Sequence, residues 1–529
     1  MVGVGGRSKG CKTCRKRRVK CDEGKPTCQR CHKAGKTCEG YVQFAEFHDV
    51  TDRVARKTSP GSQSSSLVSS SASIIFVDDA GTAQGDFIEE PFLPLRINPA
   101  FDEQLVFEKN LVDRLFSWHE NPHSPHSAGW IMVLLGVKEE DSVLNFSSFR
   151  ALATAFFGKM RGAPILMAKS KKYYSRALVV LQTQLQDPEG VFEDEVLLGI
   201  VCMSIYELIT FTDPSAWISH YNGMARLTAL RGPHRHQIGV GHALLGLLRA
   251  LITVACVTQR KRCFLEDPRW KTIPWEIRGL NSKIPVEEVY DFLVHAPGVI
   301  EDMDRLDTWD PNVPGKEEFR AGHIQRTFDV LEAAYAWRWR WEQRFSDSVF
   351  MVPTADLNPD QFSYIPSWSP FEQVLWFDER PRATELMNYS VARLIAMKAL
   401  QRAGVEVACI LQPEPIALPL LPMEGSRHDV AVEICRMAHY NMQTSLRSVG
   451  AFMLLFPLNI AFFHLDGDKD GVRPWLLKLM AAMNSRHGFE VGQLRKEHWP
   501  EAVIKQKLAI RNKKPQAPIK IVEFVPSSI

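Results

Sequence analysis

The chain has 529 residues, 45% of them hydrophobic, which is material for a large buried core and excludes a mini-protein held only by cross-links. The formal net charge of +3 conceals two pieces: Lys and Arg outnumber Asp and Glu twelve to three in residues 1–40, giving +9, while the remaining 489 residues carry 52 basic and 58 acidic groups, giving −6. A basic head on an acidic body points the head toward a polyanion.

Six of the eleven cysteines fall between Cys11 and Cys38, and the other five (Cys202, Cys256, Cys263, Cys409 and Cys435) are scattered. No apolar run follows the N-terminal charges, which argues against secretion, for a reducing compartment, and for metal ligation over disulfides. The cluster is an internal repeat, because Cys11, Cys14 and Cys21 recur seventeen positions later as Cys28, Cys31 and Cys38. Within each half a two-residue gap lets a pair of thiolates reach one ion, and a helix start beside the pair favours their negative charge. Two tetrahedral Zn2+ ions offer eight coordination places, so six sulfurs fill both shells only if two of them bridge, and Cys11 and Cys28 are the symmetric candidates. Six thiolates and two zinc ions sum to −2, so neighbouring side chains must reverse the sign before the module can approach nucleic acid. Lys12, Arg15, Lys16, Arg17, Arg18 and Lys20 do so in the first half, whereas the second offers only Arg30, Lys33 and Lys36. The asymmetry selects the first half as the recognition surface. A short helix carrying Arg17 and Arg18 fits a major groove, where guanidinium pairs with guanine O6 and N7, while Lys12, Arg15, Lys16 and Lys20 hold phosphates.

The segment CKTCRKRRVKCDEGKPTCQRCHKAGKTC resembles the zinc binuclear cluster domain of fungal transcription regulators. The match includes all six cysteines, the basic run before the third, Asp22 after it, and Pro26 in the loop before the fourth. The resemblance implies a nuclear module that binds double-stranded DNA, reads CGG-like triplets, often works as a homodimer, controls RNA polymerase II genes and uses Cys11 and Cys28 as bridging ligands. The usual base-reading lysine is matched here by Arg18. A structural metal knob or a zinc buffer would not need the basic run, and Arg15 to Lys20 also fits a nuclear-import signal.

Residues 1–40 are thus expected to form the cluster domain and residues 41–58 a short linker or dimerisation segment, with Phe47, Val50 and Val54 giving a heptad-like spacing too brief for a convincing coiled coil. Residues 59–99 read as a disordered linker: nine of the fifteen residues from Ser59 to Ser73 are serine, and acidic residues such as Asp78 and Glu89 then alternate with Phe76 and Phe87.

From residue 100 to 529 the apolar period is helical, and an all-α regulatory body is expected. Phe107, Leu111, Leu115 and Trp118 share one face, Tyr174, Leu178, Leu181 and Leu185 another, and apolar runs occupy 196–211, 243–257, 386–400 and 446–465. Gly232 and Pro233 close the helix that starts near Trp217 with a left-handed cap. The stretch from Ser448 to Leu465 contains Pro457, Asn459 and His464 and is shorter than a membrane span, so it reads as a core helix and no membrane partner is expected. The segment from Pro359 to Phe371 reads as a loop, and the best strand signal is Ile519 to Val525.

The remaining motifs resolve to structure. Asp466, Asp468, Asp470 and Gly471 imitate a calcium loop, but Leu477 stands where a bidentate glutamate is needed, so a solvated turn is expected. Gly239, Gly241 and Gly246 fail the dinucleotide pattern and mark a helix entry. His234 and His236 read as surface histidines. Trp337 and Trp341 fall on one helix face, and guanidinium packing on indole within the fold explains the interleaved Arg338 and Arg340. The basic tail from Lys505 to Lys520 reads as solvated. No catalytic motif survives, so an enzyme is not expected. CEGY at 38–41, WISHYNGMARLTALRGP at 217–233 and FPLNIA at 456–461 resemble the helical regulatory region that accompanies one branch of the same family. That implies dimerisation, contact with the transcription machinery, or sensing of a small effector.

Overall fold

A computed structural model describes residues 11–17, 19–22, 28–38, 103–116, 129–210, 216–362, 368–405, 426–465, 470–487 and 489. The linkers at 41–58 and 59–99, Trp118, Arg18, Asp466, Asp468, the basic tail and the strand expected at Ile519 to Val525 lie outside them. The chain divides into two compact units, Met1–Leu95 and Arg96–Ile529.

In the first unit the two halves of the repeat each contribute one helix of a turn and a half, α1 (Lys12–Lys16) and α2 (Gln29–Lys33). The same bond closes each: the Val19 amide donates to the Cys14 carbonyl at 3.1 Å, and the Lys36 amide to the Cys31 carbonyl at 3.0 Å.

The second unit is a mainly helical body. It opens with α3 (Glu103–Leu111), continued by a π-helical turn to Phe116, and α4 (Gly129–Met132). Phe107, Leu111 and Leu115 are all buried, as their shared face requires. Helix α5 (Val143–Met160) starts where the Ser142 hydroxyl accepts from the Asn145 amide at 3.0 Å, and it packs against α3, α6 (Pro164–Gln184) and α7 (Asp194–Thr210). Helix α7 is buried without interruption from Val196 to Thr210, the condition for a helix that is apolar on every side.

Helix α8 (Ala216–Arg231) ends at Gly232, which takes φ +72° with ψ 163°. The positive φ is the one expected, but that ψ lies outside the left-handed helical basin, so the chain leaves in an extended direction that only glycine adopts freely. Helix α9 (Gly239–Gln259) follows. Gly239 takes φ +63° and a Cβ at Gly241 would overlap the Arg235 carbonyl oxygen, so these two glycines serve the expected helix entry, whereas Gly246 lies inside α9 with open space beside it. The turn corrects one expectation: His234 is exposed, but His236 is fully buried, because its Nδ1 meets the Gly241 carbonyl at 2.9 Å and its ring lies against Trp270.

Beyond α10 (Arg269–Thr272), helices α11 (Pro285–Leu293), α12 (Ala296–Asp307) and α13 (Lys316–Arg344) pack around α14 (Arg380–Arg402), which is buried on nearly every side from Arg382 to Leu400. Trp337 and Trp341 share the buried face of α13, with the Arg338 guanidinium 4.8 Å over the Trp341 ring. Helices α15 (Arg427–Arg436), α16 (Ala438–Asn441), α17 (Arg447–Phe462) and α18 (Val472–His487) complete the body. The all-α expectation missed one element. Between α13 and α14, β1 (Val349–Pro353) pairs antiparallel with β2 (Gln373–Phe377), Val349 facing Phe377 and Pro353 facing Gln373. Each strand is five residues long and their partner segments are far apart in sequence, so no local turn signal joins them. Helices α9 and Thr444–Phe462 have the length and apolarity of membrane spans, and more than half of each is buried inside this body.

Helices α9 and α11 are tied by a buried charge cluster. Asp291 accepts from Arg249 and from Lys283, each at 2.6 Å, and both cations are more than nine-tenths buried. The Arg249 guanidinium also lies 5.2 Å over Trp275. Asp291→Ala strands two buried cations, and we expect it to destabilise the body by about 3–5 kcal/mol, read as a lowered denaturant midpoint. Arg249→Met at the same site should cost less, because Lys283 still neutralises the carboxylate.

Candidate metal centre and nucleic-acid interface

The 28 residues from Cys11 to Cys38 are far too few to fold around a conventional apolar core. Their centre is sulfur: Cys11, Cys14, Cys28 and Cys31 are fully buried, with Val19, Cys21 and Cys38 packed around them. None of the six is in a disulfide. Their ligand atoms fall into two groups, one of Cys11, Cys14, Cys21 and Cys28 and the other of Cys11, Cys28, Cys31 and Cys38, each with its four sulfurs within 4.8 Å of one another. Cys11 and Cys28 belong to both.

The spacing of the inner sulfurs tests the fit of metal. Within the groups Cys11 and Cys28 lie 3.6 Å apart, Cys14 and Cys28 3.7 Å, and Cys11 and Cys31 3.7 Å. Those distances are nearly twice a disulfide bond, about 2.05 Å, and close to the ~3.8 Å edge of a tetrahedron with zinc–sulfur bonds of ~2.3 Å. Burial pushes the Cys11 thiol up to about 12 and raises Cys14 and Cys28 as well. Only a cation at the centre would hold such sulfurs as thiolates. The donor set thus has the arrangement of a two-zinc, six-cysteine binuclear cluster.

The backbone positions the sulfurs in matching ways. The Cys14 amide donates to the Cys11 sulfur at 3.3 Å, and the Cys31 amide donates to the Cys28 sulfur at 3.3 Å. Both are helix-start bonds, so each shared sulfur also caps a helix. Sequence reasoning noted Asp22 without giving it a task. Its two carboxylate oxygens accept from the Gln29 and Arg30 amides at 2.9 and 2.8 Å, which ties the first half to the start of α2. Thr13 adds a second tie, its hydroxyl donating to the Thr37 carbonyl at 3.0 Å. Neither partnership has a local sequence signal, because each spans the loop between the halves.

The basic surface is described in part. Lys16, Arg17 and Lys20 are exposed in the first half, and Arg30, Lys33 and Lys36 in the second. The backbones of Lys12 and Arg15 lie in α1, and Arg18 is outside the described residues. The helix expected to carry Arg17 and Arg18 ends at Lys16. Arg17 keeps the helical bond to the Thr13 carbonyl, but the Cys14 carbonyl is taken by Val19, so the chain turns out of the helix there.

Residues 9–46 match the fungal Zn(2)-Cys(6) binuclear cluster domain, and residues 106–264 match the fungal specific transcription factor domain. An uncharacterized protein of Emericella nidulans is 31% identical over 145 residues, 27% of this chain and 31% of that protein. A phomenoic acid biosynthesis cluster-specific transcriptional regulator of Leptosphaeria maculans is 22% identical over 346 residues, 62% of each chain. White-opaque regulator 2 of Candida albicans is 66% identical over 38 residues, 7% of this chain and 8% of its own. The matched regions span less than two thirds of each of these relatives. No solved structure matches the chain.

Proposed function

We propose that this chain, a fungal two-zinc, six-cysteine binuclear cluster domain fused to a fungal-specific transcription factor domain, is a nuclear, sequence-specific regulator of transcription whose cluster docks on double-stranded DNA. The families matched are non-catalytic DNA-binding regulators, and their members are typically nuclear. The observation that carries the reading is two overlapping four-sulfur groups sharing Cys11 and Cys28, with Lys16, Arg17 and Lys20 exposed on the same half-repeat. In this reading residues 1–40 form the DNA-binding module, residues 41–99 tether it, and residues 100–529 regulate it. The names of two relatives, a biosynthesis cluster-specific regulator and a white-opaque regulator, are in keeping with that assignment.

The division of labour follows from side-chain chemistry. Cys11, Cys14, Cys21, Cys28, Cys31 and Cys38 hold two zinc ions. Bound zinc supplies charge compensation and cross-linking, with no reaction step. Lys12, Arg15, Lys16 and Lys20 meet phosphates, and Arg17 and Arg18 reach base edges, Arg18 reading guanine in a CGG-like triplet. Four phosphate contacts per module correspond to a slope of about −3.6 in log affinity against log salt, or a ~150-fold loss between about 50 and 200 mM. The full-length zinc-loaded protein titrated into a CGG-containing duplex should follow that slope for one module and twice it for a dimer. A flat response rejects the mechanism. Arg18→Ala should weaken binding to the specific duplex by about 1–3 kcal/mol and relax the preference at one base, with zinc content unchanged. Loss of zinc in that variant would place Arg18 in the scaffold instead.

A further inference from the structure

The two-stranded sheet has one covered side and one open edge. Strand β2 packs against α14, α15 and α16, with Val374, Leu375 and Phe377 buried, and its Gln373 carbonyl accepts from Arg436 Nε at 2.9 Å. Strand β1 forms the other side of the sheet. Its flanking bonds set the phase of the ladder: the Asp378 amide donates to the Ser348 carbonyl at 3.2 Å, and the Thr354 amide donates to the Glu372 carbonyl at 2.9 Å. Antiparallel bonding alternates along a strand, so with Val349 opposite Phe377 it is Phe350 and Val352 that bond β2. Val349, Met351 and Pro353 therefore turn their backbone groups away from β2, and these groups have no hydrogen-bond partner among the described residues. Pro353, which lacks an N–H, stands where β2 needs none. The side chains obey the same alternation. Phe350 and Met351 point to opposite faces and are 44% and 47% exposed, so the edge is apolar on both sides.

Such an edge is a template for a further strand unless something covers it. The chain carries a segment that reads as a strand and lies outside the described residues, Ile519 to Val525. Five of its seven residues are Ile, Val or Phe, it contains no glycine, and Pro518 and Pro526 bracket it. Its apolar side chains alternate onto both faces, Ile519, Ile521 and Val525 on one and Val522 and Phe524 on the other, which matches the two-sided edge of β1. Lys520 and Glu523 cancel, so no net charge opposes pairing. The chain also reaches. Trp475, near the start of α18, lies 5.1 Å from Phe371, two residues before β2, and α18 carries the chain about 18 Å from there to His487. Thirty-one residues then join His487 to Ile519, and a chain of that length spans up to ~100 Å.

We infer that residues 519–525 add to the outer edge of β1 as a third strand, bonding the Val349 and Met351 amides and the Val349, Met351 and Pro353 carbonyls. Area and tethering favour the chain's own segment over a second molecule. A five-residue edge falls far short of the ~800 Å² per partner of a stable interface, whereas a tethered segment meets it at an effective concentration on the order of a millimolar. The addition covers an open edge and an aggregation-prone segment at once. It concerns the helical body alone and does not rest on the DNA reading.

The test is hydrogen exchange on the full-length, zinc-loaded protein, read by mass spectrometry at single amides. The Val349 and Met351 amides should exchange at least ~10-fold more slowly than in the double variant Ile521→Pro, Val522→Pro, which blocks pairing in either phase. Residues 519–525 should lose their protection in that variant, and the amides of α14 should not change. Met351→Pro gives the reciprocal result, because it removes an edge donor that β2 does not use. It should release residues 519–525 while the Val374 and Trp376 amides, which bond β1 from its inner side, stay protected. Should Met351→Pro disrupt the sheet, the double variant still decides. Edge amides that exchange at the unprotected rate in the full-length protein overturn the proposal. Edge protection that survives the double variant does the same, because another occupant would then hold the edge. So does protection that vanishes on ~100-fold dilution, since an intramolecular strand is insensitive to concentration and the occupant would be a second copy.

Discussion

Stripping zinc with a strong chelator should unfold the cluster domain completely and abolish specific duplex binding. Four buried cysteines, with Val19, Cys21 and Cys38 around them, are the only core among the described residues of this unit, and the two helices are five residues each. Helices so short do not persist alone, and no apolar burial replaces the metal. Structural zinc in small modules of this kind contributes about 10–16 kcal/mol of apparent folding free energy at neutral pH, more than such a chain can recover otherwise. The sharing of sulfurs sets an order among substitutions. Cys11→Ala or Cys28→Ala removes a sulfur from both four-sulfur groups, so zinc per chain should fall from two toward zero. Cys21→Ala or Cys38→Ala opens one group only and should leave a loosely held remainder. Atomic absorption on the dialysed full-length variants separates the two cases. Equal loss from all four would mean that no sulfur is shared, and duplex binding that survives chelation would remove the basis of the DNA mechanism.

The helical body should lose stability between pH 7 and pH 5. Burial pushes His236, His323 and His439 down to about 4, and His295 likewise. In the unfolded chain each returns to 6.5 and takes up a proton as the pH falls below that value. A folded-state pKa below the unfolded one means stability that is full above about 6.5 and lost progressively as pH falls toward about 4. Each histidine then costs on the order of 2 kcal/mol by pH ~5. Glu433, which burial pushes up to about 7, acts in the opposite sense because the folded state gains a proton as pH falls, and burial raises Glu266 and Glu385 in the same direction. The carboxyls offset part of the histidine contribution, and the net change is a loss on the order of a few kcal/mol. Denaturant midpoints at the two pH values measure it. His439 is the best single probe, since neither ring nitrogen has a hydrogen-bond partner and the ring stacks on Trp475 at 5.4 Å. His439→Phe keeps the stack and should lower the proton uptake on unfolding at pH 5 by about one. An unchanged midpoint between pH 7 and pH 5 would mean that these rings are solvated in the native protein.

What could be read before folding was what depends on neighbours in the chain. Two- and six-residue gaps between cysteines, a seventeen-residue repeat and a basic run lie within one short segment, and metal ligation and helix periodicity are both short-range properties. The helical face of Phe107, Leu111 and Leu115 and the buried Trp337 and Trp341 follow from the same rule. The features that escaped depend on partners remote in sequence. Asp22 meets α2 only after the loop closes, β1 finds β2 across an intervening segment, and His236 is buried because Gly241 and Trp270 converge on it.

The sequence by itself therefore determined the metal, its six sulfurs, the cationic half of the module and the helical class of the body, since spacing and period are properties of a linear chain. Tertiary structure alone decided that Asp22 ties the first half of the module to α2, that His236, His323 and His439 are held out of water, and that β1 pairs with β2. Burial is a sum over surfaces brought together from distant parts of the chain, and no local pattern encodes that sum.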